Sequence, residues 1–333
     1  MAIIPIFIPH AGCPHQCVFC NQRAISGQQV AAVEAASQQI ARWRQWVQPS
    51  RANEAAFYGG SFTGLPLDLQ QQLLSLTDEL LSEGLIGSVR LSTRPDYIDD
   101  AGLDLLARHN VQLVELGVQS MDEAVLAAAE RGHTAQQVVD AMHLLKNRGF
   151  KTGIQLMVGM PRQDFASVQR TARQVVEMQP DIARIYLLLV IKNTPLEKSY
   201  QSGDFTPLTL EDAVEQSSYV YAKLTAAGIN VIRVGLQPDD ELCANGNIVA
   251  GPFHPSMGEL VQSRLVRQEV EEQLMQCQRR ALITFPARME SKVRGLKNSN
   301  TKYWREKFPQ LKIALEKSKA EKITVFIDEE NEE

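Results

Sequence analysis

Short apolar runs alternate with longer, helically periodic segments over roughly the first 234 residues. The short runs are rich in Ile, Val and Leu, as expected for parallel strands that are buried on both faces. The longer segments carry apolar residues every three or four positions, which is typical of amphipathic helices. Strands are therefore predicted at residues 3–8, 55–58, 89–93, 113–118, 152–158, 182–190 and 230–234. Helices are predicted at residues 28–47, 66–82, 99–109, 135–148, 164–178 and 209–227.

This repeated strand–helix unit predicts an α/β fold in which helices cover a parallel sheet. Six or seven units are too few to close an eight-unit barrel, so an open, partial parallel (β/α)6 barrel is expected. In parallel barrels the chemistry lies at the carboxyl ends of the strands. The expected division places this core at residues 1–237 and a mainly helical C-terminal extension at residues 238–333.

The composition and charge of the extension change along its length. A Pro- and Gly-rich turn at residues 249–258 precedes a helix predicted at residues 259–279. Residues 288–322 then contain 11 Lys and Arg but only 4 Asp and Glu, and the last eleven residues form an acidic tail with five acids and no base.

The basic segment allows two interpretations. Together with Tyr303, Trp304 and Phe308 it could contact phosphates and stack on bases. Alternatively, the aromatic side chains pack inward and the lysines form a solvated face. The second interpretation is favoured, because Glu and Lys alternate at helical spacing over residues 311–322, which predicts a helix there.

Composition places the 333-residue chain among soluble globular proteins, with 44% hydrophobic and 22% charged residues. The apolar residues 1–8 are too short to span a membrane and lack the features of a signal peptide, so no membrane association is expected. Five cysteines without a disulfide framework favour a cytoplasmic location.

Three of these cysteines lie within eight residues, in a loop expected at residues 10–27: Cys13, Cys17 and Cys20. Three thiolates are one short of the four ligands of a structural zinc or an ordinary four-iron cluster. The other two cysteines, Cys243 and Cys277, have no metal-ligand spacing. If the triplet holds a cubane cluster, one iron remains open to a ligand that is not protein. The alternative is a zinc site completed by His10 or His15.

Further motifs follow the later strands: Gly59-Gly60-Ser61, residues 92–97, residues 114–120 and residues 131–134. Two glycines after a strand let the backbone approach a ligand, although a tight turn explains them equally well. The C-x3-C-x2-C spacing and these motifs, in this order, resemble the radical S-adenosylmethionine (SAM) superfamily. Within it, residues 3–236 resemble the radical SAM half of the Elongator catalytic subunit, a tRNA wobble-uridine modifying enzyme.

The resemblance implies a 4Fe-4S cluster held by the three cysteines and a SAM molecule on the open iron. Reductive cleavage of SAM would then give a 5′-deoxyadenosyl radical. By the same resemblance Gly59, Gly60 and Ser61 would bind the SAM ammonium group. Gln119 and Arg131 have the spacing of two SAM-contacting residues in oxygen-independent coproporphyrinogen oxidases, which makes Arg131 the partner of the SAM carboxylate. Apolar contacts to adenine would come from around Gly159 and Leu188.

The resemblance further implies a reduced flavodoxin- or ferredoxin-type electron donor and, as the favoured substrate, a tRNA or other RNA base. The alternatives are a small molecule such as a porphyrinogen-like metabolite, or a cluster-bearing binding protein without catalysis. The Elongator family continues into an acetyltransferase domain. The roughly 95 residues after the barrel contain no acetyl-CoA loop, so acetyl-CoA chemistry is not expected of this chain.

Several polar residues have a structural interpretation beside the functional one. Arg94 could fix a turn by pairing with Asp96 or Asp99. Glu115 could point into the barrel and pair with Arg94 or Arg184. Among the remaining histidines, His254 is interpreted as a turn residue or a substrate-side donor, and His133 and His143 as structural.

Overall fold

A seven-stranded, all-parallel sheet forms the core of the computed structural model, which describes residues 2–8, 12–13, 17–21, 32–236 and 246–328. Neighbouring strands follow the chain order, and the sheet curls into a half-barrel. The strands are β1 (Ile3–Phe7), β2 (Glu54–Tyr58), β3 (Ser88–Thr93), β4 (Val111–Gln119), β5 (Lys151–Val158), β6 (Ile182–Leu187) and β8 (Asn230–Val234). The open parallel barrel is thus confirmed, and its seven strands lie near the seven predicted positions.

Residues 182–190 do not form one strand as predicted. Strand β6 ends at Leu187, and the short strand β7 (Val190–Ile191) pairs antiparallel with β9 (Ile248–Ala250). Leu188 lies in the break between them, where its N–H donates to Val158 O at 2.9 Å.

Helices lie at the six predicted places, although residues 28–31 of the first lie outside the described ranges, and two short helices, Glu123–Ala128 and Pro195–Ser202, were not predicted. They are α1 (Ala32–Arg44), α2 (Leu67–Ser82), α3 (Asp100–Arg108), α4 (Glu123–Ala128), α5 (Ala135–Asn147), α6 (Phe165–Met178), α7 (Pro195–Ser202) and α8 (Leu210–Ala226). Local sequence fixes their starts: Thr134 forms a capping box with Gln137, and the Asp164 carboxylate accepts from Ser167 N at 2.7 Å. No helix within the described ranges is long and apolar enough to cross a membrane.

The two faces of the sheet differ because side chains alternate along each strand. Apolar residues such as Ile6, Leu91 and Ile185 pack into the main core. The opposite face carries Arg90 and Glu115, which are both buried and paired with each other. The half-barrel therefore encloses a polar lumen.

The C-terminal extension combines helices with a small sheet of its own. Helix α9 (Met257–Leu274) is followed by β10 (Arg280–Pro286), α10 (Glu290–Arg294), α11 (Ser299–Lys307), β11 (Lys312–Ser318) and β12 (Thr324–Asp328). The strand order is β11-β10-β12, with β10 parallel to β11 and antiparallel to β12. Helix α9 ends before the predicted residue 279, because Arg280 already starts the central strand.

The predicted helix at residues 311–322 is wrong, since Lys312–Ser318 form strand β11. Buried Ile313 and half-buried Leu315 alternate with exposed neighbours at the period of a strand. The inward packing of the aromatic residues is confirmed for Trp304 and Phe308, which lie in the core of the extension. The first half of α9 instead packs on the barrel through Met257 and Val261.

Candidate active site

A cavity of about 310 Å³ opens at the carboxyl ends of the strands. Eight of the residues singled out from the sequence line it: Cys13, Cys17, Cys20, Gly59, Gly60, Gln119, Arg131 and Leu188. They come from the cysteine loop, from the ends of β2, β4 and β6, and from the turn after α4, so the fold brings residues together that are up to 175 positions apart.

The start of the cysteine loop is fixed by two glycines that the sequence analysis did not single out. Gly12 has a φ of +72°, and a Cβ on it would lie 2.0 Å from the Ser61 carbonyl oxygen. A Cβ on Gly64 would lie 2.2 Å from the Gly12 carbonyl oxygen. The backbone before Cys13 therefore touches the backbone after Gly60, and neither glycine position has room for a side chain. In the sequence, this role of Gly12 could have been recognised from its position directly before Cys13.

Arg131 connects the cysteine loop to the end of β4. Its Nη1 donates to Cys17 Sγ at 3.0 Å, and its Nη2 donates to Gly117 O at 2.6 Å. Gln119 ends the same strand with a φ of +66°, an uncommon value for a side chain other than Gly, Asn or Asp. Within the described part of the chain, Arg131 Nε and Gln119 Oε1 are buried without hydrogen-bond partners. Both atoms could therefore form hydrogen bonds with a polar ligand bound in the cavity.

Two of the predicted SAM-binding residues do not line the cavity. Ser61 is fully buried behind it, where its hydroxyl lies 3.0 Å from Thr93 Oγ1 and accepts from Arg94 N at 3.2 Å. Gly159 donates its N–H to Gln163 Oε1 at 2.7 Å. Ser61 thus anchors the Gly59-Gly60 turn to the end of β3, and Gly159 shapes the turn after β5.

Below the cavity, Glu115 is the centre of a buried ion-pair network. Its carboxylate accepts from Arg90 Nη2 at 2.5 Å and from Arg184 Nε at 2.6 Å. Of the two predicted partners, Arg184 is thus correct and Arg94 is not, because Arg94 forms a two-bond pair with Asp96. Burial acts to raise the pKa of Glu115, but the hydrogen bonds and charges of Arg184 and Arg90 outweigh it and hold the pKa below its ordinary value.

Polar and aromatic residues of the lumen reach the cavity from β3, β5 and β6. Ser92, Gln155 and Tyr186 line it, and Gln155 Nε2 donates to Ser92 Oγ at 3.0 Å. Burial raises the pKa of Tyr186 and keeps its phenol protonated, although Arg184 opposes the shift. Ser92 belongs to the motif at residues 92–97, whereas Gln155 and Tyr186 were not singled out from the sequence. Their alternation with apolar neighbours along each strand was the available signal.

The histidines take structural positions. His133 is buried, and burial, followed by the charges of Arg131 and Arg94, lowers its pKa to about 3. His143 is exposed on α5. His254 Nδ1 accepts from Ser256 N at 3.1 Å in the turn before α9, and His254 does not line the cavity.

The donor set suits an iron–sulfur cluster, since three cysteine residues line one cavity beside a guanidinium. Among the residues that the structure describes, no three Cys, His, Asp or Glu side chains meet at one point. His10, His15 and Cys243 lie outside the described ranges.

Two family models match the chain. Residues 7–175 match the radical SAM superfamily, and residues 180–267 match the radical SAM C-terminal domain. The chain therefore belongs to the radical SAM superfamily, whose members are enzymes that use a 4Fe-4S cluster and SAM.

Among curated proteins, the chain is similar to tRNA uridine(34) acetyltransferases of two archaea. It is 26% identical over 260 residues to the Methanocaldococcus infernus protein, covering 66% of this chain and 49% of that protein. It is 30% identical over 190 residues to the Methanocaldococcus jannaschii protein, covering 56% of this chain and 34% of that protein. The chain thus spans half or less of these relatives. Protein YhcC of Escherichia coli is 29% identical over 202 residues, with 59% of this chain and 63% of that protein covered.

Solved structures share the fold. The archaeal Elp3 of Methanocaldococcus infernus superposes with a TM-score of 0.63 at 23% identity, over 84% of this chain and 65% of that chain. Coproporphyrinogen III oxidase from Escherichia coli, a radical SAM enzyme, gives a TM-score of 0.51 at 20% identity, over 68% of this chain and 53% of that chain.

Proposed function

We propose that this protein cleaves SAM reductively and uses the resulting 5′-deoxyadenosyl radical to modify a base of tRNA or another RNA in the cytoplasm. The observation that carries the proposal is the single cavity shared by Cys13, Cys17, Cys20, Gly59, Gly60, Gln119 and Arg131. The similarity to tRNA uridine(34) acetyltransferases supports an RNA base as the substrate. A reduced flavodoxin or ferredoxin is the proposed electron donor.

The chain's own residues would prepare the site for this chemistry. Cys13, Cys17 and Cys20 would hold the cluster, which when bound supplies the electron for cleavage and an open iron for SAM. Arg131 holds Cys17, and its Nε–H, which has no partner among the described residues, suits the SAM carboxylate. The Gly59-Gly60 turn exposes backbone groups that the SAM ammonium could use, and Gln119, whose Oε1 has no partner in the described ranges, lines the same cavity.

The lumen would receive the substrate from the opposite side. Gln155 and Tyr186 reach the cavity from below and offer an amide and a neutral phenol, which are groups that recognise the polar edge of a base. Leu187–Leu189 form an apolar wall that would keep water from the radical.

A small anionic metabolite is the second candidate substrate, because Arg184 and Arg90 lie in the same lumen. Glu115 already pairs with both guanidinium groups and Glu54 pairs with Arg90, so two carboxylates balance the two cations and leave little positive charge for an added anion. The RNA base is therefore the better supported substrate.

The test of the radical chemistry is anaerobic reconstitution followed by reduction in the presence of SAM. We expect 5′-deoxyadenosine from the wild type and none from a variant with all three cysteines changed to Ala. Equal amounts from both proteins would overturn the assignment. The substrate is tested separately, by comparing tRNA nucleosides and small metabolites between a deletion strain and its parent. A difference confined to metabolites would favour the second candidate.

A further inference from the structure

The C-terminal extension contains a β-α-α-β unit that radical generation does not require. Strand β10 leads into α10, a four-residue loop joins α10 to α11, and β11 returns parallel to β10 at the edge of the sheet. The unit has its own core, in which Phe285, Val293 and Trp304 are fully buried. It is built as a separate packing unit beside the barrel.

The loop between the two helices is Gly295-Leu-Lys-Asn298, and its backbone is tightly constrained. Gly295 has a φ of +71°, and a Cβ on it would lie 2.4 Å from Ser299 Oγ and 3.0 Å from Asn300 N. Lys297 and Asn298 also have positive φ values, +52° and +62°. A lysine in the left-handed conformation is costly, whereas Gly and Asn tolerate positive φ, and such strain is often kept where it serves a site.

Buried hydrogen bonds hold this loop from beneath. Asn300, only 3% exposed, donates its Nδ2–H groups to Ser263 O at 2.9 Å and Lys292 O at 3.0 Å. The Ser263 hydroxyl donates to the same Lys292 carbonyl at 3.0 Å. These bonds tie both helices to α9, so the loop is preorganised. Within the described ranges, the buried hydroxyl of Thr301, in the first turn of α11, has no hydrogen-bond partner.

The surface of the loop carries free positive charge and one apolar side chain. Leu296 is 51% exposed, and Lys297 is exposed beside it. Lys302 and Arg305 follow on α11 at the spacing of one helix face. As far as the structure describes the chain, none of these three cations forms an ion pair. By contrast, Arg294, Lys307 and Lys317 are paired with carboxylates.

We propose that the Gly295–Asn298 loop and the adjoining face of α11 bind the sugar–phosphate backbone of single-stranded nucleic acid. KH modules use a G-x-x-G loop to clamp the backbone of four nucleotides, and this loop resembles it in sequence and in its position between two helices. Asn298 replaces the second glycine, which is compatible because Asn tolerates the left-handed conformation. Lys297, Lys302 and Arg305 supply the phosphate contacts, and Leu296 supplies an apolar surface for a base or sugar.

This site extends the proposed function, because it would give an RNA substrate a second binding site outside the lumen. It rests on that function only for the identity of the RNA. Backbone binding itself needs neither the cluster nor SAM cleavage, so the two proposals fail separately. The triple cysteine-to-alanine variant should bind single strands as tightly as the wild type.

The experiment measures fluorescence anisotropy of labelled single-stranded RNA, single-stranded DNA and duplex RNA of about 12 nucleotides or base pairs, with the full chain at about 50 and about 200 mM salt. The test variant is Leu296→Asp/Lys297→Asp. The matched control is Arg51→Asp/Ala52→Asp, which makes the same charge change in an exposed turn before β2. We expect the test variant to weaken single-strand binding by about tenfold or more, and the control by less than about threefold.

A second variant tests the same surface without changing the loop, so the result does not depend on the folding of the first variant. Lys302→Ala/Arg305→Ala leaves the loop intact and should lower the salt dependence of binding by about one to two phosphate contacts. Thermal melting checks that each variant is folded. Loop-dependent binding of either single strand supports the site, and a preference for RNA supports its place in the proposed function. No binding at low salt, binding to duplex alone, or equal losses in the test and control variants would overturn it.

Discussion

The guanidinium of Arg131 donates to the sulfur of Cys17 at 3.0 Å, although 114 residues separate them in the chain. The same guanidinium donates to the Gly117 carbonyl at 2.6 Å, so it holds the cysteine loop against the end of β4. Its remaining buried donor, Nε–H, has no partner in the described structure. Arg131 thus combines a positioning role toward a proposed cluster ligand with a donor that no described residue uses and that could serve the proposed SAM site.

We expect Arg131→Ala to weaken SAM binding by about 1–3 kcal/mol, because a charge-assisted hydrogen bond and its orientation are lost. Arg131→Lys should restore only part of the affinity, since a lysine cannot present the planar set of donors. Isothermal titration calorimetry with SAM and the reconstituted protein measures the change. Arg170→Ala is the control, because Arg170 is exposed and pairs with Asp122 on the surface. Unchanged affinity in Arg131→Ala would refute this role.

The contact between Gly12 and Gly64 gives a second prediction. Gly64→Ala should displace the cysteine loop and lower the bound iron and the absorbance near 400 nm, while the circular dichroism of the barrel is retained. The reason is steric, because the new Cβ would lie 2.2 Å from the Gly12 carbonyl oxygen and no backbone strain is involved.

Gly84→Ala is the control that introduces backbone strain without a steric clash. Gly84 has a φ of +68° but nothing within 4 Å of the added Cβ, so its substitution should cost about 1 kcal/mol of stability and leave the iron content unchanged. Gly12→Ala combines the clash and the strain and should lose the most iron. An iron content equal to wild type in both Gly12→Ala and Gly64→Ala would contradict the argument.

The barrel could be predicted because each strand carries a strong local signal. Runs such as residues 113–118 alternate between core and lumen while their flanking helices have clear caps. Strand β11 was missed for the opposite reason: its Glu and Lys spacing fits a helix, and only pairing with β10 decides its conformation.

The site could be predicted as far as it depends on motifs. The cysteines, Gly59-Gly60, Gln119 and Arg131 share one cavity, whereas Ser61 turned out to anchor the wall behind it. The packing of Gly12 against Gly64 could not be predicted, because it depends on the approach of two backbones 52 residues apart. Glu115 had two candidate partners in the sequence, and its pairing with Arg90 depends on strands β3 and β4 being neighbours.

Glu115→Gln should destabilise the fold by about 3–5 kcal/mol, because it removes the buried carboxylate that Arg90 and Arg184 share, while Glu54 remains as a partner of Arg90. Urea unfolding followed by circular dichroism measures the loss. Asp104→Asn removes an exposed partner of Arg148 and should cost less than about 1 kcal/mol. If both variants lost the same small amount, the lumen network would not contribute to stability as argued.

His133 predicts a specific pH dependence of stability. Its pKa in the folded protein is lowered to about 3, from an ordinary value near 6.5. Above pH 6.5 the imidazole is neutral in both the folded and unfolded states and contributes no pH dependence. As the pH falls from 6.5 toward 3, only the unfolded state gains the proton, so the free energy of unfolding falls by about 1.4 kcal/mol per pH unit from this group.

His133→Gln should remove that contribution, so the free energy of unfolding should depend less steeply on pH between 6 and 4.5, by about one proton. His143→Gln is the matched control, because His143 is exposed on α5 and its replacement should leave the slope unchanged. The measurement is urea unfolding at a series of pH values for the wild type and both variants. Identical slopes for His133→Gln and the wild type would show that His133 gains its proton equally in the folded and unfolded states, contrary to its burial beside Arg131.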